Sequence, residues 1–371
     1  MKLLVTGAKG FLGKNLITQL QNRKCGTIFT YDLDSDPVKL EEYLEQCDFV
    51  YHLAGVNRPQ KEEEFMEGNC GFTAMLLQSL TKMHKKIPVL MTSSIQAERN
   101  NPYGSSKRAA EEKLFAYERE TGGKALVYRL PNVFGKWSRP NYNSAIATFC
   151  YNIARDLPIV VNDPSTILSL VYIDDVVDEI ILALEGKEHR RDGYCYVDTV
   201  YSATLGKIVA LLYSFKESRS KLALPYVKDE LERKLYSTYV SFLPEDQFCY
   251  SLNMNRDERG SFTELFRTAE CGQLSVNITK PGITKGNHWH HSKCEKFIVV
   301  QGKAVVELRR IDCEEILRYH VTGDKIEVID IPVGYTHSIQ NIGDGDLVTV
   351  MWANEGYQPE QPDTYYEPVR R

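Results

Sequence analysis

Apolar and polar positions alternate between two periods along the first two thirds of the chain. Lys2–Thr6 is a short, branched apolar run that gives way to glycines, the pattern of a buried strand ending in a turn. Lys14–Gln21 switches to helical spacing, with Leu16, Ile17 and Leu20 as its apolar stripe. Thr27–Tyr31, Phe49–Leu53, Val89–Thr92 and Ala125–Leu130 read as further strands, and helices are expected over Asn69–Met83 and Pro102–Thr121. Strands alternating with helices predict an α/β doubly wound parallel sheet of the Rossmann type, with helices on both faces.

The texture changes after about Leu243. Beyond Arg256, short strands are punctuated by glycines such as Gly260, Gly272, Gly302 and Gly334, and long helical periods vanish. Evenly spaced short strands predict an all-β sandwich or small barrel. The boundary is expected near Leu243-Pro244-Glu245-Asp246, giving domains over residues 1–245 and 246–371. Gln358–Arg371, rich in proline and tyrosine, is expected to form an extended tail.

Composition narrows the function classes. The chain has 371 residues, 43% hydrophobic and 26% charged, which suits two globular domains and excludes disorder and fibrous repeats. A net charge of −5 without a Lys/Arg run is a poor match to nucleic acid or an anionic membrane. No apolar window is long enough for a transmembrane helix, and Met1–Thr6 is too short for a signal-peptide core. Nine scattered cysteines without a C-x-x-C pair fit reduced thiols, so a cytoplasmic location is expected.

Thr6-Gly7-Ala8-Lys9-Gly10-Phe11-Leu12-Gly13 follows a strand and opens a helix. Gly7 and Gly10 let the backbone turn and approach a pyrophosphate, Gly13 lets helix and strand pack closely, and the helix N-terminus attracts the anion. Asp32 ends the second strand, where an acid accepts from a ribose 2′-hydroxyl and favours NAD. Lys9 pulls the other way, towards a 2′-phosphate, and Asp32 also reads as a loop acid beside Asp34 and Asp36. The residues leave NAD and NADP open. Tyr103-Gly104-Ser105-Ser106-Lys107 places Tyr103 and Lys107 on one helix face. There the ammonium is expected to lower the phenol pKa and hold a ribose, making Tyr103 a proton donor. Thr92-Ser93-Ser94 ends the preceding strand and offers a hydroxyl to a substrate oxygen.

Residues 1–240 resemble the extended short-chain dehydrogenases/reductases. Asp48-Phe49-Val50-Tyr51-His52-Leu53-Ala54-Gly55, Arg129-Leu130-Pro131-Asn132-Val133-Phe134-Gly135 and Val171-Tyr172-Ile173-Asp174-Asp175-Val176 look like that family's motifs. The resemblance implies that Ser94, Tyr103 and Lys107 are catalytic and that Asn132 and Ser94 meet a nucleotide-sugar. It implies cofactor contacts from Gly7, Lys9, Gly10, Phe11, Leu12, Gly13, Asp32, Leu53, Ala54, Gly55, Tyr103 and Lys107. Ser94 and Tyr103 stand closer together than is usual there, so Ser93 competes with Ser94. Ser94-Ile95-Gln96 replaces the Thr-Asp-Glu of the family's dehydratases, which favours reduction or epimerisation over elimination.

Gly282 to Gly302 reads G-x5-H-x-H-x4-E-x6-G, and Pro332 to Asn341 reads P-x-G-x2-H-x3-N. These match the motifs of the cupin family, the second without its leading glycine. Strand alternation points His288 and His290 the same way, and Glu295 and His337 arrive from neighbouring strands. Three imidazoles and a carboxylate suit Zn²⁺, Fe²⁺, Mn²⁺ or Ni²⁺ better than Mg²⁺, with one zinc ion expected first. Cys294, as the neighbour of Glu295, is expected to face away. Asp257-Glu258-Arg259-Gly260-Ser261-Phe262-Thr263-Glu264 resembles a strand of cupin-class nucleotide-sugar epimerases.

The whole chain is similar to bifunctional capsular-polysaccharide enzymes in which such a reductase precedes a metal cupin. That resemblance implies a UDP-amino-sugar substrate and tips the cofactor to NADP(H). The cupin would epimerise C3 of UDP-2-acetamido-2,6-dideoxy-β-L-arabino-hexos-4-ulose, with His291, Tyr335 and Asp330 as candidate bases. The reductase would then convert the C4 ketone to the L-talose, on the route to UDP-N-acetyl-L-fucosamine. A homodimer is expected by analogy. Two rivals are a single-activity reductase with a structural or dimerising cupin, and a non-enzymatic NADP(H) sensor.

Overall fold

The structure is a computed structural model that describes residues 1–142, 144–225, 227–268, 272–356, 359–360 and 362–371. The chain divides into two compact units, Met1–Tyr213 with Val227–Glu245, and Ser214–Tyr226 with Asp246–Arg371. The boundary expected from the sequence places Ser214–Tyr226 in the first unit instead. None of the helices among the described residues is long and apolar enough to cross a membrane.

The first unit is built on a seven-stranded sheet in the order Thr27–Tyr31, Lys2–Thr6, Phe49–His52, Val89–Ser94, Ala125–Leu130, Tyr194–Cys195, Arg190–Arg191. All neighbours are parallel except the last pair. The first strand lies between the second and third, so the chain order reverses beside it, and Thr6 ends next to His52. Such a reversal leaves a crevice at the carboxyl ends of the strands, where ligands of open α/β sheets bind. Alternation along the strands feeds two cores. Leu3 and Val5 pack with Leu16, Leu20 and Val176, while Leu4 packs with Val50, Leu76, Leu80 and Leu114.

The helix Pro102–Thr121 has the expected bounds. The side chain of its N-cap Asn101 accepts from the Gly104 N–H, Pro102 starts the first turn, and Gly122 closes the helix in the left-handed region at φ +79°. The expected helix Asn69–Met83 is shorter, Phe72–Lys82, because Met66–Gly71 forms a π-helical turn ahead of it. That turn points Asn69 inward. Its Oδ1 accepts from Val56 N at 2.9 Å, and its Nδ2 donates to Val56 O at 3.1 Å and Ser106 Oγ at 3.0 Å.

Beneath the sheet's end the buried Glu111 pairs with the half-buried Arg129. Glu111, 1% exposed, accepts from Arg129 Nη2 at 2.6 Å and from Ser93 Oγ at 2.5 Å. Arg129 also donates to Tyr194 Oη at 2.8 Å and Glu98 at 3.2 Å.

The second unit stacks two antiparallel sheets, as a cupin jelly roll requires. One has six strands, in the order Met254–Asp257, Gly260–Thr268, Gly272–Thr279, Leu347–Ala353, Glu295–Gln301, Val328–Ile331. The other has five, in the order Ile316–Thr322, Lys303–Arg310, Tyr335–Asn341, Thr284–Trp289, Tyr365–Tyr366. Phe297, Val299, Val306, Leu308, Ile339 and Leu347 fill the space between them. Within the stretch expected to be an extended tail, of which Gln358 and Gln361 lie outside the described residues, Tyr365 and Tyr366 form a strand that pairs with Trp289 and His288. Arg309, 1% exposed, grips the residues beyond that strand by donating to Val369 O at 2.8 Å, Pro368 O at 3.0 Å and Glu367 Oε1 at 2.9 Å.

Removing Glu111 leaves Ser93 without its acceptor and Arg129 with only Glu98 and Tyr194 among the described residues, besides solvent. Glu111→Ala is therefore expected to destabilise the first unit by about 2 kcal/mol, read as an earlier unfolding transition in urea. An unchanged midpoint would show that Arg129 finds compensation elsewhere.

Candidate active and metal sites

The glycine turn is built by close backbone approach. Gly7 sits at φ +68°, and a Cβ there would lie 2.7 Å from Ala54 N; one on Gly13 would lie 2.3 Å from Gly7 O. Neither position accepts a side chain without displacing backbone. Gly10 is the N-cap of helix Phe11–Asn22 and supplies no side-chain cap, so the first helical N–H groups stay open towards an anion. The side chains of Phe11, Leu12 and Leu53 pack on the core, and Leu53 N donates to Thr6 O at 3.2 Å. Asp32 Oδ2 accepts from Lys9 N at 2.7 Å and its Oδ1 from Leu33 N at 2.8 Å. The exposed Lys9 ammonium pairs with Asp34.

At the end of strand Val89–Ser94 the two serines part. Ser93 is bound to the buried Glu111. The Ser94 hydroxyl accepts from Gln96 N at 3.2 Å and is close enough to the Tyr103 phenol to favour its ionised form. The geometry therefore favours Ser94 over Ser93 for contact with a bound substrate. Ser94 and Tyr103 come together despite their short separation because a 3₁₀ turn, Ile95–Glu98, folds directly onto the helix. Gly104 permits this approach, since a Cβ there would lie 2.2 Å from Gln96 O.

Lys107 is 7% exposed, and its Nζ donates to Thr92 O at 3.4 Å. Gly55 makes room for it, because a Cβ there would stand 2.9 Å from Lys107 Nζ. Burial pushes the Lys107 pKa down to about 8, against the pull of Glu111. The expected lowering of the Tyr103 phenol is not what prevails. Burial raises it, opposed by the Ser94 hydroxyl, while Lys107 Nζ lies 5.9 Å from the ring centroid. A phenol held protonated is the form a proton donor starts from. His52, behind the site, is kept neutral, its pKa pushed to about 3 by burial and by Lys107. It bridges Thr6 and Thr73 hydroxyls at 2.8 Å each. Asn132 is exposed at the start of strand Asn132–Phe134 and donates to Ser169 O at 3.0 Å.

In the second unit, candidate ligand atoms of His288, His290, Glu295 and His337 all lie within 4.8 Å of one another. A bulge between Gly286 and His288 sets His288 opposite His337 in the strand register. Asn287 is the extra residue, at φ +59°. Glu295 Oε2 stands 3.3 Å from His290 Nε2 and 3.2 Å from His337 Nε2. Although burial opposes its ionisation, His290 and His337 hold the Glu295 carboxyl well below the usual carboxylate range. Burial and the neighbouring His337 push His288 down to about 4.

The donor set suits a divalent metal such as zinc. His337 is fully buried with neither ring nitrogen in a hydrogen bond, its Nε2 being out of line with Glu295. Buried polar atoms are seldom left so, and a cation between the four residues would satisfy them. His290 directs Nδ1 to the Asp363 carbonyl, which leaves Nε2 as the inward nitrogen. Cys294 is outside the convergent set. Asp330, a candidate base, is corrected: it pairs with Lys296 on the sheet face opposite to Glu295 and is exposed. His291 is exposed and packs against Trp289 and Tyr365, whereas Tyr335 shares the face of His337 two residues away. Asn69 and Asp363, which secure the two sites, carried no recognisable motif.

A strand, glycine turn and helix with a Ser–Tyr–Lys cluster, joined to a jelly roll with a three-histidine, one-carboxylate cluster, define a short-chain dehydrogenase/reductase fused to a cupin. The chain belongs to the NAD dependent epimerase/dehydratase family, which it matches over residues 3–196, and it carries a polysaccharide biosynthesis C-terminal domain over residues 255–365. It is 46% identical over 365 residues, 98% of each chain, to a UDP-2-acetamido-2,6-beta-L-arabino-hexul-4-ose reductase of Pseudomonas aeruginosa. A crystal structure of the capsular polysaccharide assembling protein CapF from Staphylococcus aureus superposes with a TM-score of 0.93 at 52% identity, covering all of both chains. A UDP-glucuronic acid 4-epimerase from Bacillus cereus, 19% identical, covers 65% of this chain and 99% of its own at a TM-score of 0.56, a likeness of fold.

Lys107 gives the first unit a pH-dependent stability. Its folded pKa, about 8, lies below its ordinary 10.5, so the folded state carries a penalised charge below pH 8. Between pH 8 and about 10.5 the folded protein sheds that proton before the unfolded chain does, and stability recovers. Lys107→Met, which keeps the apolar stem, is expected to stabilise the ligand-free protein at pH 7 by on the order of 2–3 kcal/mol. Calorimetry at pH 7 and pH 10 reads this, and the gain should shrink at the higher pH.

Proposed function

We propose that the chain is a bifunctional enzyme acting on a UDP-amino-sugar 4-ketone. In this reading the cupin epimerises C3 of UDP-2-acetamido-2,6-dideoxy-β-L-arabino-hexos-4-ulose. The reductase unit reduces C4 with NADPH, giving the UDP-2-acetamido-2,6-dideoxy-L-talose that leads to UDP-N-acetyl-L-fucosamine for surface polysaccharide. The observation that carries it is the presence of two convergent clusters in one chain, Ser94/Tyr103/Lys107 and His288/His290/Glu295/His337. The P. aeruginosa reductase, alike over nearly the whole length, supports the substrate class.

In the first unit the reduced nicotinamide supplies the hydride. Tyr103 gives its phenolic proton to the C4 oxygen, Ser94 orients that oxygen, and Lys107 steadies the phenolate left behind and holds the ribose. In the second unit His288, His290, Glu295 and His337 would hold a divalent cation, which would supply Lewis-acid polarisation of the C4 carbonyl and so a more acidic C3 hydrogen. Tyr335 stands on the same strand face as His337 as a candidate proton carrier.

Lys9 is the candidate partner of a cofactor 2′-phosphate. Its ammonium is exposed and pairs with surface Asp34, a weak partner that a 2′-phosphate can replace. Lys9→Ala is expected to raise KM for NADPH about tenfold, the loss of one charge-assisted contact, and to leave KM for NADH nearly unchanged. An equal effect on both would argue for a purely structural Lys9.

The division of labour is tested with two variants. Tyr103→Phe should abolish NADPH oxidation yet keep solvent deuterium exchange at C3. His290→Ala should lose the exchange yet still reduce substrate already epimerised. If each folded variant loses both activities equally, the assignment fails. Exchange that survives metal removal would favour the single-activity reductase, and no turnover of any UDP-4-keto sugar would favour the sensor.

A further inference from the structure

The second unit's last residues fold back over the metal-type cluster, and their contacts concentrate on one side chain. The segment His291–Lys293 connects His290 to Glu295 with no regular structure of its own. Asp363 holds it. Its Oδ1 accepts from His291 N at 2.9 Å, and its Oδ2 from Ser292 N at 2.7 Å, Lys293 N at 2.9 Å and Ser292 Oγ at 3.1 Å. Three successive backbone N–H groups thus converge on one carboxylate, an arrangement that favours an anion. The carbonyl of the same residue accepts a hydrogen bond from His290 Nδ1–H.

The strap continues along the strand that carries His288. Thr364 Oγ1 accepts from the buried Lys293 Nζ at 3.0 Å. Glu367 N donates to Asn287 O at 2.9 Å, and Val369 N to Asn287 Oδ1 at 3.2 Å. Asn287 is the bulge residue that sets His288 across from His337, so two of the four ligands are braced from the strap.

We propose that Asp363 is a positioning residue of the candidate metal centre: its carboxylate clamps the loop between His290 and Glu295, and its carbonyl fixes the His290 ring with Nε2 inward. This rests on the reading that His288, His290, Glu295 and His337 bind a metal. Second-layer partners of a ligand histidine set its tautomer and orientation, and their loss typically weakens metal binding by about 10–100-fold.

The test uses full-length protein, Zn²⁺ affinity by chelator competition, and the visible absorption of the Co²⁺-loaded form. Asp363→Ala should bind Zn²⁺ at least about tenfold more weakly and shift the Co²⁺ bands, while the metal-free thermal midpoint changes little. Asp363→Asn, which keeps one acceptor oxygen, should fall between it and the unmodified protein, and it decides the matter where the alanine variant fails to fold. Unchanged affinity and bands in both variants would overturn the proposal. So would a lowered metal-free midpoint with unchanged bands, since that marks a merely structural clamp. If the unmodified protein binds no stoichiometric metal, or His337→Ala binds as well as it does, the metal reading itself falls and takes the proposal with it.

Discussion

Each candidate site is organised around a buried polar group that the fold brings in with too few partners. Lys107 is nearly inaccessible and reaches a single backbone carbonyl, at the long distance of 3.4 Å. His337 is fully buried with neither ring nitrogen in a hydrogen bond, although its Nε2 stands 3.2 Å from Glu295 Oε2. Such groups are expensive to leave unmatched, and well-packed apolar side chains would stabilise either core better. A ribose and a cation are the kinds of ligand that supply the missing interactions. The surrounding elements are then a means of holding these groups in place against that penalty.

The means differ between the units. Around Lys107 the constraint is steric. Gly55 clears the space above the ammonium, Gly7 lets the glycine turn lie against Ala54, Gly13 lets the helix start against Gly7 and Ala8, and Gly104 lets the turn after Ser94 approach the helix. Around His337 the constraint is a strand bulge and a strap. The bulge at Asn287 changes which face the chain presents, and the strap ties the bulge and the His291–Lys293 loop to the C-terminus.

Much of this was legible in the sequence. The glycine spacing, the Tyr103/Lys107 pair, the helix Pro102–Thr121, and the spacing of His288, His290, Glu295 and His337 are local patterns. A local pattern survives translation into three dimensions because one helix turn or one strand carries it. The order of the tail is not legible in this way, because Pro362 to Arg371 lacks the alternation of a strand and gains its order from Arg309, Asn287 and Thr336, which are distant in sequence. The π-turn at Met66–Gly71 reads as helix for a similar reason. Its glycines are tolerated because Asn69 is drawn inward to Val56 and Ser106.

The choice between Ser93 and Ser94 shows why spacing alone runs out. Both lie at one strand end, and alternation only says that they face opposite ways. What separates them is Glu111, two turns further along the helix that carries Tyr103. That helix presents Tyr103 towards Ser94 in its first turn and, two turns on, Glu111 to Ser93 and Arg129. The short link between strand and helix has its origin in the same arrangement. With Ser93 anchored by Glu111 and Gly104 pressed against Gln96, the intervening turn has little room to be longer. The departure from the usual spacing thus fixes the distance between hydroxyl and phenol and leaves the Ser–Tyr–Lys cluster intact.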